Sequence, residues 1–223
     1  MAARMVAFCR YIWEVLHPDF GLGWNLFLAL IPLGLSLLLF RGKARGQGGR
    51  RGTLWWLTAI AFLLFLPNAA YVLTDVIHLI TEIRREPPLP LWTIVLILIP
   101  QYALFILAGF QAHVLSLLNL GHYLQKQRRP SWVLPMESGL NLLCAMGIYL
   151  GRFRRFNSWD IATQPEELLY TTLNDFTSRF PLAVVTVTFV VITGLYYLFK
   201  GVDLAVLEAW QRRHIKPEPP AKN

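Results

Sequence analysis

Five long runs of apolar residues constrain this chain more than any other feature. They lie near 22–40, 53–73, 91–120, 132–150 and 181–199, and each approaches or exceeds the roughly 18 to 20 residues that span the hydrocarbon of a bilayer. A soluble core helix of that length would carry charges along its outer face, whereas these runs carry almost none. Of the 223 residues, 55% are hydrophobic and 15% charged, against about 25% charged in soluble domains. The sequence therefore predicts an all-α, polytopic transmembrane helix bundle of about five spans. The spans and their connectors use up the chain as one transmembrane domain over 1–223.

The polar segments between the runs give a direction. Residues 41–52 read RGKARGQGGRRG, five basic residues and five glycines without an acid. The connector after the third run adds Lys126, Arg128 and Arg129, and the tail at 200–223 adds Lys200, Arg212, Arg213, Lys216 and Lys222. Lysine and arginine accumulate on the cytoplasmic side of short loops, so these three segments predict a cytoplasmic loop, connector and tail with the N-terminus outside. The net charge of +8 follows from that bias. Nucleic acid is not an expected partner, because the basic loop has no aromatic residues for base stacking; the expected partner is the lipid bilayer.

Two further segments predict short interfacial helices. Residues 1–20 place Met5, Phe8, Cys9, Ile12 and Leu16 on one face, with Arg10 and Glu14 at i,i+4 spacing. Glu14, His17 and Asp19 interrupt any signal-peptide core. In the last outer loop, Thr163 and Glu166 fit a capping box, followed by Leu168, Leu169, Leu173, Phe176 and Phe180 at helical spacing. Cys9 and Cys144 fall in different environments and predict no disulfide.

Familiar catalytic signatures such as phosphate loops, GxSxG elbows and HExxH helices are absent. What remains is polar content inside the spans, where an ionisable side chain must find a partner or a wet cavity. The second run continues PNAAYVLTDVIHLITEI. On a continuous helix Asn68, Tyr71, Asp75, His78 and Glu82 share one arc of about 80°, although Pro67 removes a hydrogen bond and bends the axis. On the fourth run Glu137, Asn141, Arg152 and Arg155 share an arc of about 60°. The second and fourth spans run the same way, so their ends bring Asp75, His78 and Glu82 to the same side as Arg152, Arg155, Asn157 and Asp160. Gly147 and Gly151 form a GxxxG, which permits close helix approach and suggests a homo-oligomer through the fourth span.

PNAAYVLTDVIHL at 67–79 and GIYLGRFRRFNSWD at 147–160 resemble the two signature stretches of a family of bacterial integral membrane proteins, domain of unknown function 1361. The matching residues are Pro67, Asn68, Tyr71, Thr74, Asp75, His78 and Leu79, then Gly147, Tyr149, Leu150, Gly151, Arg152, Arg155, Asn157, Ser158, Trp159 and Asp160. Ala70 stands where the family usually has proline. The resemblance implies a multi-pass protein of the bacterial cytoplasmic (inner) membrane and supplies no activity.

Two readings of the charged cluster follow. In the first, Arg152, Arg155, Asn157, Asn68 and Tyr71 bind an anionic lipid headgroup or cell-envelope precursor on the extracytoplasmic face. Asp75 and His78 would act there as base and orienting partner, or with Asp160 as metal ligands. In the second, the protein is a non-catalytic assembly or structural component whose cluster only clamps helix ends. A transporter subunit is a third reading. The sequence names no cofactor and does not decide whether the protein is an enzyme. Asp75 and Asp160 are the nearest acids for the arginines, with Asp75 and Arg155 as the pair to test. His113 in the third run reads as a hydrogen-bonded helix contact.

Overall fold

A computed structural model describes residues 20–41, 52–84, 86, 88–156, 163–175 and 178–214. The expected N-terminal interfacial helix, nearly all of the basic loop and the end of the tail lie outside the described residues, as do Asn157 and Asp160. Five helical stretches are long and apolar enough to cross a membrane: Leu22–Arg41, Thr53–Ile83, Leu91–Lys126, Pro130–Phe153 and Arg179–Arg213. Helices suit this environment because hydrocarbon offers no hydrogen bonds, and a helix pairs its backbone within itself.

The first span is α1, Phe20–Ser36, extended by a π-helical turn over Leu37–Arg41. The second is α2, Thr53–Tyr71, which passes through a 3-10 turn at Val72–Asp75 into α3, Val76–Ile83. The helix thus does continue past Thr74, and the polar arc of the sequence lies along it. In the third, α4 (Leu91–Thr93) leads by a π-helical turn at Ile94–Leu98 into α5, Ile99–Lys126. That turn sits just before Pro100, whose missing N–H and bulky ring disturb the regular helical ladder. The fourth span is α6, Val133–Phe153. A short helix α7, Pro165–Asp175, occupies the loop where the sequence predicts one. The last helix, α8, runs Arg179–His214, well past the end of the fifth apolar run at 199.

Close approach of helices sets the core. α2 packs against α1, α5 and α6, while α8 lies mainly along α6. A Cβ added at Gly147 of α6 would fall 2.6 Å from Pro67 Cβ, and one at Gly109 of α5 would fall 2.7 Å from a Val72 methyl. Both glycines therefore admit a neighbour that alanine would exclude. A Cβ at Gly151 would meet the Tyr71 ring at 3.2 Å. The GxxxG pair of α6 thus packs on α2 of the same chain. Phe62, Leu66, Phe110, Leu117, Cys144, Ile192 and Tyr196 are buried in the resulting core. Large apolar side chains such as Leu38, Leu54 and Leu96 are more than two-thirds exposed, as a surface solvated by lipid requires.

Several polar residues inside the spans pair across helices. Asn119 of α5 donates to Ser36 Oγ of α1 at 2.9 Å, and Ser36 donates to the Leu33 carbonyl at 2.8 Å. Gln111 of α5 donates to both carboxylate oxygens of Asp203 in α8, at 2.9 and 2.7 Å. His113 lies 3.0 Å from Asn141 Oδ1 of α6 and stacks on Phe110, the hydrogen-bonded helix contact expected of it.

Candidate functional site

The 3-10 turn at the end of α2 delivers Asp75 to the interior. Its side chain is fully buried, and Val72, three residues earlier, is pinned against Gly109. One carboxylate oxygen accepts from Asn25 Nδ2 of α1 at 3.0 Å and the other from Arg152 Nη2 of α6 at 2.9 Å. Arg152 also donates to Thr74 Oγ1 through Nε at 3.1 Å and Nη2 at 2.5 Å. Thr74 in turn donates to the Tyr71 carbonyl at 2.7 Å, and the Tyr71 ring lies 4.5 Å from the guanidinium carbon. Three helices are tied by one carboxylate, and Arg152 is held by Asp75, Thr74 and the Tyr71 ring.

His78, one turn beyond Asp75, is half exposed, and its Nε2 lies 3.8 Å from Asp75 Oδ1. That separation is too long for a hydrogen bond. Asn68 lies one turn before Tyr71 and donates to the Phe65 carbonyl at 3.2 Å. Among the described residues no three His, Cys, Asp or Glu side chains gather as metal ligands.

The three arginines at the end of α6 have three different environments. Arg152 takes Asp75, so the partner of Asp75 is Arg152 and not Arg155. Gly151 seats against the Tyr71 ring, which sets the next residue level with Thr74 and Asp75; Arg155 lies beyond the last helical residue. Arg154 reaches Asp175 of α7, with Nε 2.6 Å from Oδ2 and Nη2 against Oδ1. Tyr149 donates to the same carboxylate at 3.0 Å. The Arg154 hydrogen bonds hold the Asp175 carboxyl below the usual carboxylate range, and Asp175 raises Arg154 further. Arg155 has φ 60°, in the left-handed region, and the chain turns back so that the Phe156 N–H donates to the Leu150 carbonyl at 3.1 Å. Its side chain is exposed, with no ion-pair partner among the described residues.

Glu137 and Asn141 share the helical arc of Arg152 but not its site. Glu137 accepts from Lys200 of α8 at 2.6 Å, and Asn141 meets His113. Asn25 and Asp175 are site neighbours that sequence reasoning did not place, while Tyr149 stood within the second signature stretch. Thr74 stood within the signature stretch and was available to it as a signal.

A cavity of about 470 Å³ lies beside the Asp75 cluster, between α1, α2 and α6. Leu28, Leu63, Leu143 and Met146 make it apolar, while Asn25, Asn68 and Tyr71 contribute polar groups. Asn25 and Tyr71 touch Asp75 and Arg152 respectively, so the cavity and the ion pair share a wall.

Long apolar helices joined by buried ion pairs define an integral, multi-pass membrane protein. The chain matches the family described as Protein of unknown function (DUF1361) over residues 24–193, and it belongs to that family. No curated protein and no solved structure matches it.

Proposed function

We propose that this protein binds an anionic group, a lipid headgroup or cell-envelope precursor, at the extracytoplasmic end of α2 and α6 in a bacterial cytoplasmic membrane. The carrying observation is Arg155, an exposed cation beside two arginines that each already hold an acid. Arg155 supplies the attractive charge. Arg152, fixed by Asp75, Thr74 and Tyr71, supplies a preoriented fork whose reorganisation cost has been met by the fold. Asn68 and Tyr71 line the approach, and Asn157 and Asp160 follow directly in sequence. Asp75 and the half-exposed His78 beside it would serve as base and orienting partner, or as metal ligands together with Asp160, which lies outside the described residues.

The clamp reading is favoured by one observation: both Asp75 oxygens already have donors. The two readings separate at Arg155. Purified protein titrated with phosphatidylglycerol or phosphatidylcholine and measured by native mass spectrometry should retain the anionic lipid preferentially. Arg155→Gln should abolish that preference at unchanged membrane abundance. Equal retention of both lipids by the unmodified protein would leave only the clamp.

A further inference from the structure

We infer that the cavity between α1, α2 and α6 holds a hydrocarbon chain, so that the ligand is an amphiphile of one leaflet and not a soluble anion; this rests on the headgroup site proposed above. Protein interiors are packed with few voids larger than a water molecule, and a cavity of about 470 Å³ is of the size that takes small ligands. Its polar groups gather at the Asn25, Asn68 and Tyr71 end, and the apolar remainder of the lining offers too few of the two to four polar partners that each ordered water needs. Along α2 the lining runs from Leu63 to Tyr71, a rise of about 12 Å at 1.5 Å per residue. That is about the depth of one leaflet, half of a hydrocarbon core of roughly 30 Å.

The depth also fits the charge. The lining residues of α1 are Trp24, Asn25 and Leu28, from its first turns, and those of α6 run from Leu143 to Leu150 near its end. All belong to the half of the bundle that carries Asp75 and Arg152. Leu63 and Leu143 are more than a third exposed, which opens the cavity sideways to the bilayer. A chain entering there would leave its polar end level with Tyr71, against which Arg152 stacks. Pro67 and Gly147 meet too closely for any added side chain, so this wall is rigid.

Leu63→Trp and Leu143→Trp fill the space with an indole while leaving every polar group in place. Native mass spectrometry of detergent-purified protein, titrated with phosphatidylglycerol and with glycerol phosphate as its soluble headgroup, reads the result. The unmodified protein should retain one phosphatidylglycerol per chain and at least ten-fold less glycerol phosphate. Either tryptophan variant should lower phosphatidylglycerol to the glycerol phosphate level. Leu143→Phe, a smaller addition, should give an intermediate loss and serves if the tryptophan variants do not accumulate. Full retention by folded variants would overturn the chain site and leave the headgroup site standing. Loss of lipid in these variants, with Arg155→Gln keeping its anionic preference, would instead refute the headgroup site alone. A second copy of the chain in the cavity, seen as a lipid-free dimer that the tryptophans convert to monomer, would also overturn the proposal.

Discussion

Asp75 and Arg152 form an ion pair whose removal has a calculable consequence. Asp75→Asn keeps the shape and an amide toward Asn25, but takes the charge from a guanidinium only 18% exposed. Arg152→Gln leaves the opposite problem, a carboxylate with no exposure and Asn25 as its remaining donor. Breaking a buried pair from one side costs about 3 to 5 kcal/mol, because the surviving charge stays desolvated. Arg152 can swing its head toward the interface, so Asp75→Asn should fall near about 3 kcal/mol. Buried Asp75 cannot move, so Arg152→Gln should fall near about 5 kcal/mol. In the double variant neither charge remains, and a coupling of about 2 to 3 kcal/mol should be recovered, the upper range for residues in contact. Unfolding free energies in bicelles, obtained by steric trapping, would measure all four corners. A parallel cycle on Asp75 and Arg155 should be additive within about 0.5 kcal/mol, since Arg155 is exposed and makes no hydrogen bond or ion pair with Asp75. Additivity at Asp75 and Arg152, or coupling at Asp75 and Arg155, would refute the assignment of partners.

Other consequences are open to simpler measurements. Gly147→Ala should cost about 1 to 3 kcal/mol by forcing α6 from Pro67, whereas Gly139→Ala, with nothing within 4 Å, should be neutral or gain up to about 1 kcal/mol from helix propensity; equal thermal shifts for the two would contradict the packing. Because Arg154 holds the folded Asp175 carboxyl below its unfolded value near about 4, its stabilisation is complete above that pH and disappears as pH falls through the lower, folded value. Hydrogen exchange in α7 should accelerate only in that acid window, and Asp175→Asn should exchange rapidly even at neutral pH; an acid-insensitive α7 would argue against the contact. Reporter fusions at Gly48, Pro88, Arg129 and Glu167 should read in, out, in, out, and the inverted order would move the candidate site to the cytoplasm.

The spans were legible in the sequence because uninterrupted apolar length has few other solutions. Their ends were less so. α2 with α3 runs to Ile83 and α8 to His214, since a helix that leaves hydrocarbon becomes amphipathic and drops out of a pattern based on apolar runs. Asp75 and Arg152 were legible because polar residues at helical spacing stand out on an apolar face. Glu137 and Asn141 share that spacing with Arg152 but not its site, because an arc gives direction around a helix and not depth along it. Fifteen residues separate Glu137 from Arg152, about 22 Å at 1.5 Å per residue, which puts them at opposite ends of one span. Asn25 offered no periodic signal: a lone amide in an apolar run looks the same whether it meets a carboxylate or the backbone. Asp175 has no spacing relation to Arg154 that a sequence pattern could reveal, and only the fold brings the two together.

Three arginines in four residues on the proposed outer loop run against the usual distribution of basic residues, and their environments show how the chain would carry them there. A charge moved across a membrane is least costly when it arrives beside an acid. Arg152 finds Asp75 inside the bundle, and Arg154 finds Asp175 on α7, so two of the three charges are neutralised within a few ångströms. The Phe153 and Phe180 rings, 6.1 Å apart, show that the start of α8 returns to the same end, where Arg154 and Tyr149 hold Asp175 at the end of α7. The cluster thus does structural work through two of its arginines, and a clamp needs no more than these. Arg155 is the remainder: it is exposed, carries a backbone conformation that most side chains avoid, and neutralises nothing among the described residues. An exposed cation with no ion-pair partner among the described residues is what the proposed anion at the membrane surface would require.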